Sequence, residues 1–315
     1  MNSSTVLVTG ATGFIGSHCL DALKQRGFDS IRAAVRCYPA HPDPQIDFVF
    51  VGSIGPLTDW RSALAGVDIV VHLAARAHLL NDTASDPEAE FHQVNTLGTL
   101  RLVEQAIQAG VKHFLLVSSV GAMASSCLNP LTEESICWPD TPYGRSKLRA
   151  EETLTQLAAT ADMTWTIIRP PLVYGPRNPG NMERLIQLVV KGIPIPLRSV
   201  SNRRSLIYVG NLVDAIVICL SHPLAANQLF LVSDGQDVST PELIMAIATA
   251  MERPSILLPI PLPLLAAVSK VLGKQDLLEK LTASLTLDIQ KIRRAINWNP
   301  PYTFAEAIKK TIQSG

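Results

Sequence analysis

One short segment near the amino terminus constrains the fold more than any other: Val6-Leu7-Val8-Thr9-Gly10-Ala11-Thr12-Gly13-Phe14-Ile15-Gly16. An apolar, β-branched run leads into Gly10-x-x-Gly13-x-x-Gly16, and a helical pattern, Phe14–Arg26, follows at once. Gly10 permits a tight turn, Gly13 lets a bound group approach the backbone, and Gly16 lets the helix lie close on the strand. The amino end of such a helix offers unpaired N–H groups and a partial positive charge. Strand, glycine turn and helix in this order form a cradle for the pyrophosphate of a dinucleotide. Thr12, Phe14 and Ile15 line it with the three glycines.

The rest of the first half repeats this alternation. Strand-length apolar runs stand at Ile31–Val35, Phe48–Val51, Ile69–Leu73, Phe114–Val117 and Trp165–Ile168. They lack strict alternation, as parallel strands covered on both faces do. Helical patterns separate them at about Leu57–Leu64, Glu88–Ala109 and Pro142–Ala159. The pattern predicts an α/β fold, a Rossmann-type doubly wound parallel sheet. After Arg169, the breakers Pro170, Pro171, Gly175, Pro176, Pro179 and Gly180 change the texture. Helices are expected near Asn181–Lys191 and Asn211–Leu220, a strand near Gln228–Val232, and a helix opening at Thr240–Pro241 under a Ser239 or Thr240 cap. A smaller, interleaved carboxyl-terminal lobe is therefore predicted. Residues 1–172 with about 205–235 form the dinucleotide unit, and about 173–204 with 236–315 the substrate lobe.

Charge and cysteine content narrow the function classes. Lys plus Arg balance Asp plus Glu at 27 each, so there is no field to gather nucleic acid. The cysteines Cys19, Cys37, Cys127, Cys137 and Cys219 are scattered and show no metal spacing, which reads as reduced thiols in a cytoplasmic protein. No metal site is indicated, and Met1–Ser4 runs straight into a strand without a leader. The apolar stretch Ile256–Leu272 is broken by Pro259, Pro261 and Pro263 and is too short to span a bilayer. Its flanks are not strongly basic, so stable membrane insertion is not expected and surface contact is the weaker reading.

The choice of cofactor turns on the end of the second strand. A carboxylate there would bond the ribose hydroxyl of NAD. The chain instead reads Val35-Arg36-Cys37, with Arg32 at the start of the strand and no acid before Asp43. Arg36 suits a 2′-phosphate, so NADP is favoured, with NAD as the alternative; a merely exposed arginine would read the same. Ser53 and Ile54, past the third strand, are placed at the same site. So are Leu73, Ala74 and Ala75, whose small side chains let the cofactor lie close to backbone. His72, inside its strand, reads as a packed histidine.

The most specific chemistry is in Thr141-Pro142-Tyr143-Gly144-Arg145-Ser146-Lys147. Thr141 caps a helix that Pro142 opens, which puts Tyr143 and Lys147 four apart on one face. A free tyrosine ionises near pH ~10. A lysine ammonium beside it, helped by a cationic nicotinamide ring, is expected to lower that value so that Tyr143 exchanges a proton with a substrate hydroxyl or carbonyl. Val117, Ser118 and Ser119 end a parallel strand, where open sheets place ligands. Ser119 is the expected catalytic hydroxyl, with Val117 and Ser118 nearer the cofactor. Asn95 either bonds backbone to hold the site in register or packs a helix.

Taken together, Gly10-x-x-Gly13-x-x-Gly16, Ser119 and Tyr143-x-x-x-Lys147 resemble the extended short-chain dehydrogenases, in their nucleotide-sugar epimerase/dehydratase/reductase branch. Arg169-Pro170-Pro171-Leu172-Val173-Tyr174-Gly175-Pro176 resembles that branch's segment at the nicotinamide and sugar, which implies roles for Pro170 and Val173. The resemblance also implies that Asn181 and Met182 lie at the nucleotide phosphates and that Arg204 clamps a diphosphate. Two features depart from it. Leu172 stands where many relatives have a polar residue, and Val120-Gly121 after Ser119 lack the Asp-Glu pair of dehydratases. Among its members, the chain is most similar to bacterial NADPH-dependent reductases of UDP-linked 4-keto-6-deoxy-N-acetylhexosamines, which serve surface-polysaccharide synthesis. The alternative is a UDP-hexose or UDP-N-acetylhexosamine 4-epimerase that retains NAD. A remote third is a non-catalytic dinucleotide-sensing regulator, but such proteins usually lose the Tyr/Lys pair. A homodimer through the helices near Glu88–Ala109 and Pro142–Ala159 is the expected assembly.

Overall fold

In the computed structural model, which describes residues 2–77, 85–178 and 181–313, the glycine segment folds as the sequence predicts. Strand β1 (Asn2–Thr9) stops just before Gly10, and helix α1 (Phe14–Gln25) starts just after Gly13. There follow β2 (Phe28–Val35), β3 (Ile46–Phe50), α2 (Arg61–Leu64) and β4 (Ile69–His72). Next come α3 (Pro87–Phe91), α4 (Gly98–Gln108), β5 (His113–Val117), α5 (Pro142–Ala158) and β6 (Thr164–Arg169). The second half contributes β7 (Leu172–Tyr174), α6 (Asn181–Val190), β8 (Arg204–Tyr208), α7 (Val209–Ser221), β9 (Gln228–Leu231) and β10 (Asp237–Val238). It closes with α8 (Thr240–Ala250), α9 (Leu262–Val271), α10 (Gln275–Thr282), α11 (Gln290–Ile296) and α12 (Phe304–Gln313).

The main sheet is all parallel, in the order β3-β2-β1-β4-β5-β6-β9. Alternate residues of its strands feed two cores. Val6, Val8, Leu115 and Ile168 join α1 and α7 on one face. Leu7, Val70, Phe114 and Ile167 join Trp60, Leu102 and Leu154 on the other. Burial on both faces is why these strands are continuously apolar. A smaller sheet, β10-β8-β7, pairs β7 with β8 in parallel and β10 with β8 antiparallel. β8, which the expected division gave to the larger unit, thus pairs in the small sheet, while β9 returns to the large one beside β6.

Two helices differ from expectation. The turn Arg61–Leu64 is all that forms of the stretch from Leu57, because Thr58 is committed elsewhere. Its hydroxyl accepts from Gly55 N and donates to Ser53 O, and its carbonyl accepts from Gln105. Such local bonds compete with a helix. The long pattern from Glu88 is interrupted by a π-helical turn, His92–Leu97, between α3 and α4. α8 begins with a full capping box between Ser239 and Glu242, as its sequence suggested.

No helix among the described residues is long and apolar enough to cross a membrane. All five cysteines are free, and no described group of His, Cys, Asp or Glu has the arrangement of a metal site. Pro179 and Gly180, two of the expected breakers, lie outside the described residues.

Candidate active site

The cofactor cradle is set by two glycines that nothing larger could replace. Gly10 has φ +68°, and a Cβ there would meet Ala74 N at 2.7 Å. A Cβ on Gly16 would sit 2.1 Å from Gly10 O, so α1 packs directly on the turn. α1 begins at Gly13 with no side-chain cap and no acid in its first turn, which leaves its amino end open to an anion. Thr12 and Gly13 are exposed there, and Phe14 and Ile15 are half-buried. Leu73 N and Ala74 N donate to Thr9 O and Thr9 Oγ1, both at 3.3 Å, which brings the Leu73-Ala74-Ala75 turn against the glycines. Ile54 packs on Gly98 at the same carboxyl edge, next to Ser53. Ser118 Oγ is buried without a protein partner at the end of β5. A dinucleotide would fit this donor set, its pyrophosphate held at the open end of α1.

Arg32 and Arg36 part company. Arg32 is tied to Asp47 at 2.7 Å and to the carbonyls of Ala63 and Ala65. Arg36 is exposed just past β2, with no carboxylate paired to it among the described residues.

The chemical pair rides on α5, which Thr141 caps through Gly144 N at 3.0 Å. A Cβ on Gly144 would lie 2.1 Å from Gly121 O, so the helix is pressed onto the turn after Ser119. Tyr143 is thereby hydrogen-bonded to Ser119, whose Oγ also accepts from Gly121 N at 3.0 Å. Phe91 packs edge-on against the tyrosine ring. Lys147, one turn on, is buried and donates from Nζ to Val117 O at 2.8 Å. A further turn brings Glu151, paired with Arg169 of β6 inside the protein.

Electrostatics correct one expectation. Burial raises the Tyr143 pKa, with Ser119 acting in the opposite direction, and Lys147 is not what governs it. The same burial brings Lys147 down to about 8, against the pull of Glu151. Burial of the phenol outweighs the expected lowering.

Asn95 lies in the π turn and is a positioning residue, bonding backbone as one of its two readings had it. Its amide exchanges bonds with Arg76 N (2.8 Å) and Arg76 O (3.0 Å), and its Nδ2 donates to Ser146 Oγ at 3.0 Å. Ser146 in turn donates to Tyr143 O at 2.8 Å. On the other side, Thr99 Oγ1 donates to Asn95 O and meets His72 Nε2 at 3.0 Å. Since that hydroxyl's only proton is spent, His72 carries its proton on Nε2 and accepts from Thr9 at Nδ1, 2.6 Å away. His72 is packed as expected, and burial drops its pKa to about 3. A buried chain of hydrogen bonds therefore links the strand before Gly10 to the helix of Tyr143. The sequence reading missed Thr99, Ser146, Gly121 and Gly144. The small residues inside Tyr143-Gly144-Arg145-Ser146-Lys147 were the available signal.

The substrate residues are less gathered. Pro170 O accepts from Val120 N at 2.9 Å, which sets Pro170 beside Ser119. Val173 is half-buried in β7, and its carbonyl accepts from Asn178. Leu172 is exposed. Met182 is buried in the core, so only its backbone is left to meet a ligand. Asn181 opens α6, and its side chain lies outside the described residues. Arg204 is half-buried, with Nη1 on Lys280 O (2.9 Å) and Ala283 O (3.3 Å) and no carboxylate partner among the described residues.

Comparison with known proteins agrees with this geometry. The model of the NAD dependent epimerase/dehydratase family matches residues 6–232. A UDP-glucose 4-epimerase of Vibrio cholerae is 41% identical over 98% of this chain and 95% of its own length. The N-acetyl-alpha-D-glucosaminyl-diphospho-ditrans,octacis-undecaprenol 4-epimerase of Escherichia coli O157:H7 is 29% identical over 99% of this chain and 95% of its own. Among solved structures, the UDP-glucose 4-epimerase of Thermus thermophilus in complex with NAD superposes with a TM-score of 0.77 at 25% identity, covering 98% of both chains. With the glycine cradle, the serine–tyrosine contact and the buried lysine in place, the chain is an enzyme of the NAD dependent epimerase/dehydratase family.

Proposed function

We propose that this enzyme is a 4-epimerase of a UDP-linked hexose or N-acetylhexosamine, working with NAD held in the β1–α1 cradle. The observation that carries the reading is the 41% identity, over nearly the whole chain, to a protein named as a UDP-glucose 4-epimerase. It displaces the reductase that the sequence alone put first.

When bound, the nicotinamide would accept a hydride from C4 of the sugar and return it, its oxidised ring adding the positive charge that favours a tyrosinate. The remaining work falls to side chains of the chain itself. Ser119 holds the C4 oxygen against Tyr143, and Tyr143 takes the hydroxyl proton and gives it back to the same oxygen. Inversion requires only that the 4-keto sugar turn its other face before the hydride returns to C4. Lys147 keeps a cation behind the phenol, and Phe91 shields the ring from water. Arg204, a cation without a carboxylate, would take the diphosphate. Because the relative in Escherichia coli carries its sugar on a diphospho-undecaprenol, the diphosphate is the shared chemistry and the group beyond it the variable one. Assembly as a homodimer through α4 and α5, and a place in the cytoplasm, complete the proposal.

A second reading, the NADPH-dependent 4-ketoreductase, is favoured by Arg36 exposed where an NAD enzyme would show an acid. One experiment separates the two. An epimerase purifies with NAD bound and interconverts UDP-N-acetylglucosamine and UDP-N-acetylgalactosamine, or the UDP-glucose pair, with nothing added. If the protein instead purifies empty and oxidises one NADPH per UDP-4-keto-6-deoxy-N-acetylhexosamine, the epimerase reading is wrong.

A further inference from the structure

Three charged side chains meet inside the protein, each no more than 4% exposed: Lys147, Glu151 and Arg169. Lys147 and Glu151 are one turn apart on α5, in line with Tyr143. Arg169 ends β6, and its Nε and Nη2 both reach the Glu151 carboxylate, with Nε 3.0 Å from Oε1. Ala150 and Leu154 of α5 and Ile167 of β6 bury apolar side chains in one core. Replacing a buried ion pair by apolar side chains is often neutral or stabilising, so packing of α5 on β6 does not by itself call for one.

What the pair does supply is a fixed negative charge one turn behind the lysine. Both carboxylate oxygens are committed to Arg169, so Glu151 does not draw Lys147 into a bond of its own. Nζ is thereby left on the Val117 carbonyl, 2.8 Å away, on the strand that leads to Ser119. Glu151 favours the protonated lysine against the burial that opposes it. Among the described residues, the other groups on the elements packed around Lys147 are neutral, cationic or engaged elsewhere. His72 of β4 and Tyr143 are neutral, and His92 of the π turn brings no negative charge. Glu88 and Glu90 of α3 pair with Arg145 and Arg76, Glu104 of α4 with Arg101, and Cys137 is hydrogen-bonded to Arg169. We propose that Glu151 is a positioning residue, clamped by Arg169 so that it holds Lys147 as an ammonium on the strand of the catalytic serine without displacing it. Its part in turnover rests on the epimerase reading, but its effect is measured on the lysine itself, with no sugar present.

The test is an NMR titration of the full chain with isotope-labelled lysine side chains, the Lys147 signal being assigned by its loss in Lys147→Arg. The wild-type midpoint should lie at about 8. Glu151→Gln should lower the proton affinity of Lys147 about ten-fold, whereas Glu151→Asp, which keeps the charge, should restore most of it. Glu151→Met with Arg169→Met leaves no orphaned charge, so it should fold, as thermal unfolding would show, and lose the same proton affinity. The alkaline decline of kcat for a UDP-sugar should move to lower pH with it, while KM holds. An unchanged midpoint in the folded Glu151→Met/Arg169→Met variant overturns the inference. So does failure of that variant to fold, since the pair would then be a structural support. A lowered midpoint beside a wild type that turns over no UDP-sugar would uphold the inference and remove the epimerase reading instead.

Discussion

The Lys147 ammonium donates to the Val117 carbonyl at 2.8 Å, so the helix carrying Tyr143 is fastened to the strand that ends in Ser118 and Ser119. One cation thus ties the helix of the tyrosine to the strand that leads into the two serines. Gly144 and Gly121 make the contact close, and Asn95 holds it from behind through Ser146. The site is assembled before any ligand arrives.

Tyr143→Phe should abolish turnover and leave cofactor affinity within a few-fold, because it removes the transferable proton and little else. Acid–base catalysis contributes roughly 10²–10⁴ in rate. Steady-state kinetics beside a cofactor titration would check this, and a variant that kept more than about a tenth of the rate would place the acid elsewhere.

Arg204→Ala should raise the KM for a UDP-sugar by roughly ten- to a hundred-fold, the value of one charge-assisted contact at about 1.5–3 kcal/mol. Affinity for the dinucleotide should barely move. An unchanged KM would mean that the diphosphate sits at another cation.

Arg36→Ala discriminates the cofactors. If the exposed guanidinium meets a 2′-phosphate, affinity for NADPH falls far more than affinity for NADH. Equal losses, or a wild type that prefers NADH, would leave Arg36 a solvent-facing side chain and strengthen the NAD reading.

Acid should destabilise the fold earlier than its carboxylates alone require. Burial holds His72 at about 3 and His113 at about 4, against 6.5 for the free side chain. The unfolded chain therefore binds protons below about pH 6.5 that the folded chain refuses. The stability is complete above that pH and is lost as pH falls toward the folded values. For His72 alone, two pH units below 6.5 cost about 3 kcal/mol. Denaturant unfolding between pH 7 and 4.5 would show the slope, and His72→Gln should flatten it; an identical slope in the variant would remove His72 as its source.

The strand–glycine–helix opening, the parallel sheet and the placement of Tyr143, Lys147 and Ser119 were legible because each rests on local spacing. The extra residue of the π turn at Asn95 was not. A π turn differs from an α-helix by one backbone bond, and only the pull of Arg76 and Ser146 on the amide makes the difference visible. The Tyr143 proton affinity was misread for a similar reason. Spacing puts a lysine within reach of the phenol, but it does not reveal how deeply the ring is buried, and burial is what raises its pKa. The place of β8 depended on pairing with β7, some thirty residues earlier, which no local pattern encodes.

The return of β9 to the main sheet has a bearing on how such enzymes diverge. A gene fragment ending after β6 would encode a sheet with a bare outer edge, since β6 takes its neighbour from beyond the small sheet, and exposed edges recruit other chains. A new specificity brought in by splicing a different carboxyl-terminal module onto an old dinucleotide unit would have to supply a strand for β6 in place of β9. Drift within the stretches between β6 and β8 and after β9 keeps both crossings in register. Ancestry in this family should accordingly track the whole chain, and recombination between its halves should leave few survivors.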